Sequence, residues 1–354
     1  MDDTVSSTTP RQSRSNNLAP SPIPRLALVV VTYKRQQLLG KLFDSIFALD
    51  PVPWRIVIVD NENSPQTAEM VRAFNARLDA SWGNADVDDE GNREHVVYAP
   101  QAENGGGAGG FSAGVERAYE LGAQWFWLMD DDVLVLPEAI ARLGRWTDRY
   151  QVVQASRLDY DGGPFFWQYQ LIVPLGIPNP VAPADLGPDG FKPMNQLCFE
   201  GGLFSRNVVD EVGLPDPRFF IYGDDANYGY VASKATDAVV VSDVIIQRSR
   251  GVSNWEINGV RQLNSTSDTN RFYIMRNRGF TARYLREYGD YHRFLFGVGT
   301  AATFAKELIR LIAVDRTFKT GIPALVRGML AARKIYRDPS WEPMPPMKTL
   351  KKHG

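Results

Sequence analysis

Four apolar runs, each followed by a stretch of helical period, constrain this chain more than any other feature. Residues 26–31 (LALVVV), 55–59 (RIVIV), 95–99 and 124–129 (QWFWLM) read as strands. Near-continuous apolarity is what a strand buried on both faces requires. Residues 36–49 carry Leu38, Leu39, Leu42, Phe43, Ile46, Phe47 and Leu49 at helical spacing. Residues 67–78 form a second helix, a glycine-rich loop opens a third that runs through Leu121, and residues 137–150 make a fourth. Residues 79–94 are polar and read as a mobile loop. This βαβαβαβ series predicts an α/β fold: a mostly parallel open sheet with helices on both faces. In such sheets the ligand site lies outside the carboxyl ends of the strands. The residues just past those ends are 32–35, 60–62, 101–110 and 130–132, all polar or glycine-rich.

The pattern changes between residues 160 and 200, which are rich in Pro, Gly and aromatics and predict irregular structure with a short hairpin. A strand near 196–204, a helix from Asn207, a helix over 227–235 and a strand over 238–241 follow, and the chain reads as helical beyond 270. Residues 1–24 are Ser/Thr/Asn/Gln-rich, end in SPIP, lack a signal-peptide pattern and read as a disordered tail. The expected organisation is this tail, a catalytic body over 25–280 and a basic helical region over 281–354.

Charge supports that division. The chain has 39 Lys and Arg against 41 Asp and Glu, so nothing in its net charge of −2 draws it to nucleic acid. Residues 281–354 nevertheless carry a net +8, which leaves −10 on the first 280. A basic, partly apolar end on an acidic body suggests contact with a surface such as an anionic membrane; a soluble helical subdomain or a dimer contact fits the same pattern. The most apolar stretch, residues 294–313, contains Lys306, Glu307 and Arg310, which argues against a transmembrane span. The single cysteine, Cys198, excludes an intramolecular disulfide and fits a reducing compartment, and three scattered histidines make a His-rich metal site unlikely.

Four stretches can carry chemistry. Asp130, Asp131 and Asp132 directly follow an apolar strand, where adjacent carboxylates repel unless a cation or donors neutralise them. Oxygen-only ligation suits Mg²⁺ or Mn²⁺, and Asp130 and Asp132, two residues apart on an extended segment, can face one ion. The run NGGGAGG at 104–110 reads as a loop before a helix over 111–121, whose free N-terminal amides can meet an anion. Gly105, Gly107 and Gly110 match a dinucleotide fingerprint, but they follow the third strand, not the first, which weighs against a nicotinamide enzyme. Asp224 and Asp225 follow an aromatic run; paired carboxylates can supply a general base, and Asp is also favoured as a helix cap. Residues 271–278 (RFYIMRNR), with Arg248 and Arg250 upstream, offer guanidinium groups for a diphosphate or else a solvated basic helix face.

Taken in order, VVVTYKR, IVIVDN, NGGGAGGFSAG, WFWLMDDD, FFIYGDDANYGY and MRNRG resemble the inverting glycosyltransferases of family 2, which have a GT-A fold. Within that family they are similar to the galactofuranosyltransferases of actinobacterial cell-wall synthesis, over about residues 26–280. The resemblance implies that Thr32, Tyr33 and Arg35 line the nucleotide pocket, that Asp60 contacts the base, and that Asn104 and the glycines approach the donor. It also implies that Asp130 and Asp132 hold Mn²⁺ or Mg²⁺ with Asp131 against the donor, and that Asp225 is the catalytic base. Trp167, Asp224, Arg248 and Arg276 are candidate contacts to acceptor or diphosphate. The implied donor is a UDP-sugar, UDP-galactofuranose first, and the implied acceptor a lipid-linked glycan at the cytoplasmic membrane face. Related rhamnosyltransferases using dTDP-rhamnose share most of these motifs, and a non-catalytic nucleotide-sugar or glycan-binding protein would keep them too. The chain departs from the family where a histidine usually completes the metal site: residues 244–250 read VIIQRSR, with Gln247 or Arg248 in its place.

Overall fold

The computed structural model describes residues 22–163, 165, 168–181, 183–251, 254–257 and 260–350. The elements in chain order are β1 (Leu26–Thr32), α1 (Gln36–Phe47), β2 (Arg55–Asp60), α2 (Pro65–Trp82), β3 (Val96–Pro100), α3 (Gly106–Glu120), β4 (Trp125–Asp130), β5 (Val133–Val135), α4 (Ala139–Thr147) and β6 (Val152–Leu158). Then come β7 (Gln168–Ile172), β8 (Ile177–Pro180), β9 (Phe191–Met194), β10 (Gly202–Ser205), α5 (Arg206–Val212), α6 (Asp224–Ala235) and β11 (Ala238–Arg248). The chain ends in β12 (Asn254–Ile257), β13 (Val260–Asn264), α7 (Asp268–Glu287), α8 (Arg293–Arg310), α9 (Phe318–Arg337) and α10 (Met347–Leu350).

One nine-stranded sheet runs β3-β2-β1-β4-β10-β6-β11-β5, with β9 paired to β11. The β3-β2-β1-β4 half is parallel, β10 is antiparallel to both neighbours, and β6 and β11 are parallel to each other. Every residue of β1 and β2 is buried, as continuous apolar runs demand. Separate apolar clusters fill the two faces of the sheet. Helix α1 shows why its periodicity was readable: Leu39, Leu42, Phe43 and Ile46 form one buried stripe. Register fixes the site edge, since Val31 lies beside Asp130, Thr32 beside Asp60 and Asp60 beside Pro100. Three strands therefore release their polar ends together.

Several expectations need adjustment. The tail expected through residue 24 lies outside the described residues as far as 21, but Ile23 is fully buried in the core. Of the loop expected over 79–94, residues 79–82 belong to α2, and the rest is tied down: buried Arg55 donates to the Asn92 carbonyl at 3.1 Å and faces the buried Asp88 carboxylate at 3.7 Å. The β7–β8 hairpin matches the expectation for 160–200. The strand expected near 196–204 is only Gly202–Ser205, while the one expected over 238–241 extends to Arg248. The boundary set at 281 falls inside α7, so the C-terminal helices are continuous with the body. No helix among the described residues is long and apolar enough to cross a membrane.

Candidate active site

The triplet lies at the end of β4, where the chain turns back into β5. Asp131 is 2% exposed; its Oδ2 accepts from Thr32 Oγ1 at 2.7 Å and its Oδ1 from Arg35 at 3.1 Å. Asp131 thus ties the end of β4 to the end of β1, each of its oxygens accepting one bond from the β1 end. Thr32, buried beside it, has its hydroxyl committed to the same bond. Asp132 Oδ2 accepts from Arg35 at 3.2 Å and from Arg250 Nε at 3.1 Å. Arg35 remains half exposed and Tyr33 is exposed, so both can meet a ligand. Asp130 makes no bond to either arginine. Burial, then Asp132, Glu200 and Asp131, push its carboxyl well above the usual aspartate range.

That strain bears on the expected metal. Asp130 and Asp132 offer oxygen donors, the right chemistry for Mg²⁺ or Mn²⁺, and a cation would relieve the repulsion on Asp130. No group of three or more His, Cys, Asp or Glu side chains that could hold a metal occurs among the described residues. By their chemistry Asp130 and Asp132 could supply two carboxylate ligands to such an ion, with ligand oxygens left to complete the set. Where a histidine was expected, Gln247 turns outward to the Tyr160 carbonyl and Arg248 faces Glu200 at 3.7 Å. From this segment it is Arg250, not Arg248, that reaches the triplet, beside Arg35.

Asp60 is 1% exposed and serves its own turn: it accepts from the amides of Glu62 and Ser64 and from the Tyr98 hydroxyl, at 2.8–2.9 Å. The glycine run divides by use. Asn104 Oδ1 accepts from the Gly106 amide at 2.9 Å, which sets the start of α3. Gly106, at φ +71°, lets the backbone of Phe220 approach so closely that any Cβ would clash. A Cβ at Gly110 would lie 2.5 Å from Val31, so this glycine sets helix-to-sheet distance. Gly107 faces open space and Gly105 caps the helix; those two remain free to approach a ligand.

The second acidic pair opens α6. Its N-cap is Gly223, at φ +84°, so Asp224 is not the cap that its residue type suggested. Asp224 is buried; burial and then Asp225 raise its carboxyl to about 8. Asp225 is half buried, accepts from the Ala226 amide at 2.7 Å and is raised by burial, while that amide, Cys198 and Arg157 pull the other way. A carboxyl held above its ordinary range is a better proton acceptor at neutral pH.

Sequence reasoning missed what joins the two clusters. Arg157, fully buried on β6, donates to the Glu200 carbonyl at 2.9 Å and the Cys198 sulfur at 3.2 Å, and faces the Glu200 carboxylate at 3.7 Å. Glu200 acts on Asp130, and Arg157 and Cys198 act on Asp225, so the pair and the triplet share one electrostatic neighbourhood. A lone arginine inside VVQASRL and a glutamate before two glycines were the available signals. The MRNRG run is not the solvated basic face that one expectation allowed, since Asn277 and Arg278 are buried. Arg276 donates to the carbonyls of Arg218 and Phe219, and Asn277 to those of Phe219, Ile221 and Tyr222. Arg278 binds the carbonyls of Leu175 and Gly176 at 2.9 Å. Arg276 and Asn277 thus clamp the loop before Asp224, where Phe220 and Tyr222 hold positive φ, while Arg278 holds the turn between β7 and β8. Trp167 lies outside the described residues.

The family model for glycosyl transferase family 2 matches residues 27–213. The Galactofuranosyltransferase GlfT1 of Mycolicibacterium smegmatis is 30% identical over 206 residues, 56% of this chain and 61% of that protein. The Mycobacterium tuberculosis Galactofuranosyltransferase GlfT1 is 28% identical over 205 residues, 56% and 60%. The match thus spans about three fifths of the length of these relatives. Among solved structures, S. aureus TarS 1-349 aligns with a TM-score of 0.52 at 12% identity, covering 88% of this chain and 81% of that one. GalNAc-T7 with UDP, GalNAc and Mn²⁺ aligns at 0.50 and 14% identity, covering 86% and 59%.

Proposed function

The chain belongs to glycosyl transferase family 2, with a GT-A fold, and from that premise we propose that it moves galactofuranose from UDP-galactofuranose to a hydroxyl of a lipid-linked cell-wall or surface glycan, inverting the anomeric carbon. The observation that carries the reading is the shared neighbourhood of two carboxylate clusters, Asp130 with Asp132 and Asp224 with Asp225, linked through Glu200 and Arg157. Likeness to galactofuranosyltransferases supports the sugar, and the UDP and Mn²⁺ described with GalNAc-T7 support a metal-assisted nucleotide donor.

In this reading Asp130 and Asp132 hold Mn²⁺ or Mg²⁺. When bound, the ion offsets charge on the leaving diphosphate. Arg35 fixes the triplet and, being half exposed, turns positive charge toward the phosphates. Tyr33, Asn104, Gly105 and Gly107 border the donor, and Asp60 sets the turn beside the base. Asp225 takes the proton of the acceptor hydroxyl as the new C–O bond forms and the bond to the UDP oxygen breaks. Attack from the face opposite UDP inverts configuration without a covalent enzyme intermediate. The body does this chemistry, and the basic helices after it hold the enzyme peripherally at the cytoplasmic membrane face, where a lipid-linked acceptor is presented.

The test is transfer to a lipid-linked glycan from UDP-galactofuranose and, separately, from dTDP-rhamnose, with product anomers read by NMR. Transfer of galactofuranose with inversion is expected. Transfer from dTDP-rhamnose alone overturns the donor, and UDP binding without any turnover makes the protein a binding module.

A further inference from the structure

Nine of the fifteen large apolar or aromatic side chains exposed among the described residues lie between Phe294 and Leu330. They are not scattered. On α8, Phe294, Val298, Ile309 and, just past its end, Ile312 recur at helical spacing, with the small exposed Ala301, Ala302 and Ala305 between them. On α9, Phe318, Ile322, Val326 and Leu330 recur every four residues. Each helix therefore has an outward apolar stripe.

The inner faces of both helices are already used. In α8, Gly299 lets the helix approach the backbone of Leu175 and Phe296 packs over Gly176, so that side grips the β7–β8 hairpin. In α9, Gly328 sits against the Phe272 carbonyl, and Ala332 against Gly279, so that side is seated on α7. The outward stripes are thus not the packing faces of these helices turned the wrong way. An exposed apolar surface of this extent marks an interaction site.

Charge identifies the partner. Between residues 293 and 337 eight Lys and Arg side chains are exposed and no Asp or Glu is. The two acids of that stretch are turned inward: Glu307 pairs with Arg310 at 2.8 Å and Asp315 with the fully buried Arg271. The exposed surface of this segment is therefore apolar and purely cationic. Two copies of a segment whose exposed charges are all cationic would set like charges against each other in a symmetric dimer, which disfavours a second copy. A bilayer with anionic headgroups satisfies both properties, taking the stripes into its interface and the cations among its phosphates.

We infer that the outward faces of α8 and α9 are the membrane-docking surface of this protein, and that they bind anionic bilayers by shallow insertion. The inference rests on the peripheral-membrane part of the proposed function and names the surface responsible. It follows that affinity falls with salt, since the cationic contribution is screened over about 8 Å at physiological ionic strength.

The test uses the full chain, vesicles of phosphatidylcholine with about one third phosphatidylglycerol, and vesicles of phosphatidylcholine alone. One variant combines Val298→Gln, Ile309→Gln, Val326→Gln and Leu330→Gln; another combines Lys306→Gln, Lys319→Gln, Arg327→Gln and Lys334→Gln. The wild type should sediment with the anionic vesicles and not with the neutral ones. Since each basic residue near an anionic surface contributes roughly a fivefold factor, the cationic variant should lose at least tenfold in partition, and the apolar variant should also lose binding because its inserted side chains are gone. Circular dichroism and UDP titration should be unchanged in both variants. Vesicle binding that survives both variants overturns the inference. So does a wild-type oligomer that dissociates in the variants while vesicle binding is absent, because the face then joins copies of the chain. Failure of UDP to bind any form, with vesicle binding intact, would count against the proposed reaction and leave the docking surface standing.

Discussion

The acidic runs at 130–132 and 224–225 are both short carboxylate clusters beside apolar segments, yet the fold surrounds them differently. Arg35, Arg250 and Thr32 reach into the triplet and hold Asp131 and Asp132, leaving Asp130 to the repulsion of its neighbours. The pair has no guanidinium bonded to it among the described contacts; it rests on backbone amides and a thiol, with Arg157 acting from beyond Cys198. A triplet braced by cations is suited to gather a metal and a diphosphate. A pair kept in a low-dielectric setting is suited to take a proton. Identical residue types acquire separate roles from what stands next to them.

The sharpest way to break that contrast is Asp225→Asn. Turnover should fall by roughly 10²–10⁴, the range for losing a general base, while UDP affinity stays within about twofold. Equal loss of UDP affinity would merge the two clusters into one binding site. The wild-type pH profile of kcat/KM should show an acid limb above the ordinary aspartate range, because Asp225 must be ionised to act and burial raises its carboxyl.

Arg157→Met tests the link between clusters. Removing one partner of a buried ion pair costs about 3–5 kcal/mol, which a urea midpoint would report. Because Arg157 favours ionised Asp225, the acid limb should also move to higher pH. A destabilised variant with an unmoved limb would make Arg157 purely structural. Arg276→Ala should cost about 1–3 kcal/mol by stranding the loop carbonyls of Arg218 and Phe219, with UDP affinity unchanged. A tenfold weaker UDP affinity at full stability would restore its reading as a diphosphate contact.

Smaller effects separate the glycines. Gly110→Ala meets Val31 and should cost about 1–3 kcal/mol as overpacking. Gly107→Ala meets nothing and should change stability by less than about 1 kcal/mol, with its effect confined to donor affinity. Asp224 adds a pH signature to stability. Its folded pKa of about 8 exceeds that of an unfolded aspartate, so its contribution is complete below about pH 4 and is lost as pH rises through about 8. Asp224→Asn should flatten that decline in a series of urea midpoints.

The same contrast explains what could be read from the chain alone. Strands and helices from residue 26 to 150 were legible because apolar period is local, and the parallel order of β3, β2, β1 and β4 then put their polar ends on one edge. The triplet followed from that edge. Arg157, Glu200 and Asn277 did not, because each acquires its role from contacts across the fold: Arg157 is 43 residues from Glu200, and Asn277 is 58 from Phe219. Arginine is ambiguous in the same way. Nothing local distinguishes Arg250, which meets Asp132, from Arg276, which clamps carbonyls. The start of α6 was read three residues late because Gly223 caps it without a side chain.

The central claim is a metal-assisted UDP-sugar site built on the triplet. Calorimetric titration of UDP into the wild type and Asp132→Ala, with and without Mn²⁺, tests it directly. The account predicts UDP binding that depends on Mn²⁺ in the wild type and disappears in the variant. Absence of UDP binding to the wild type under both conditions, or binding indifferent to Mn²⁺ and to the loss of Asp132, would contradict it.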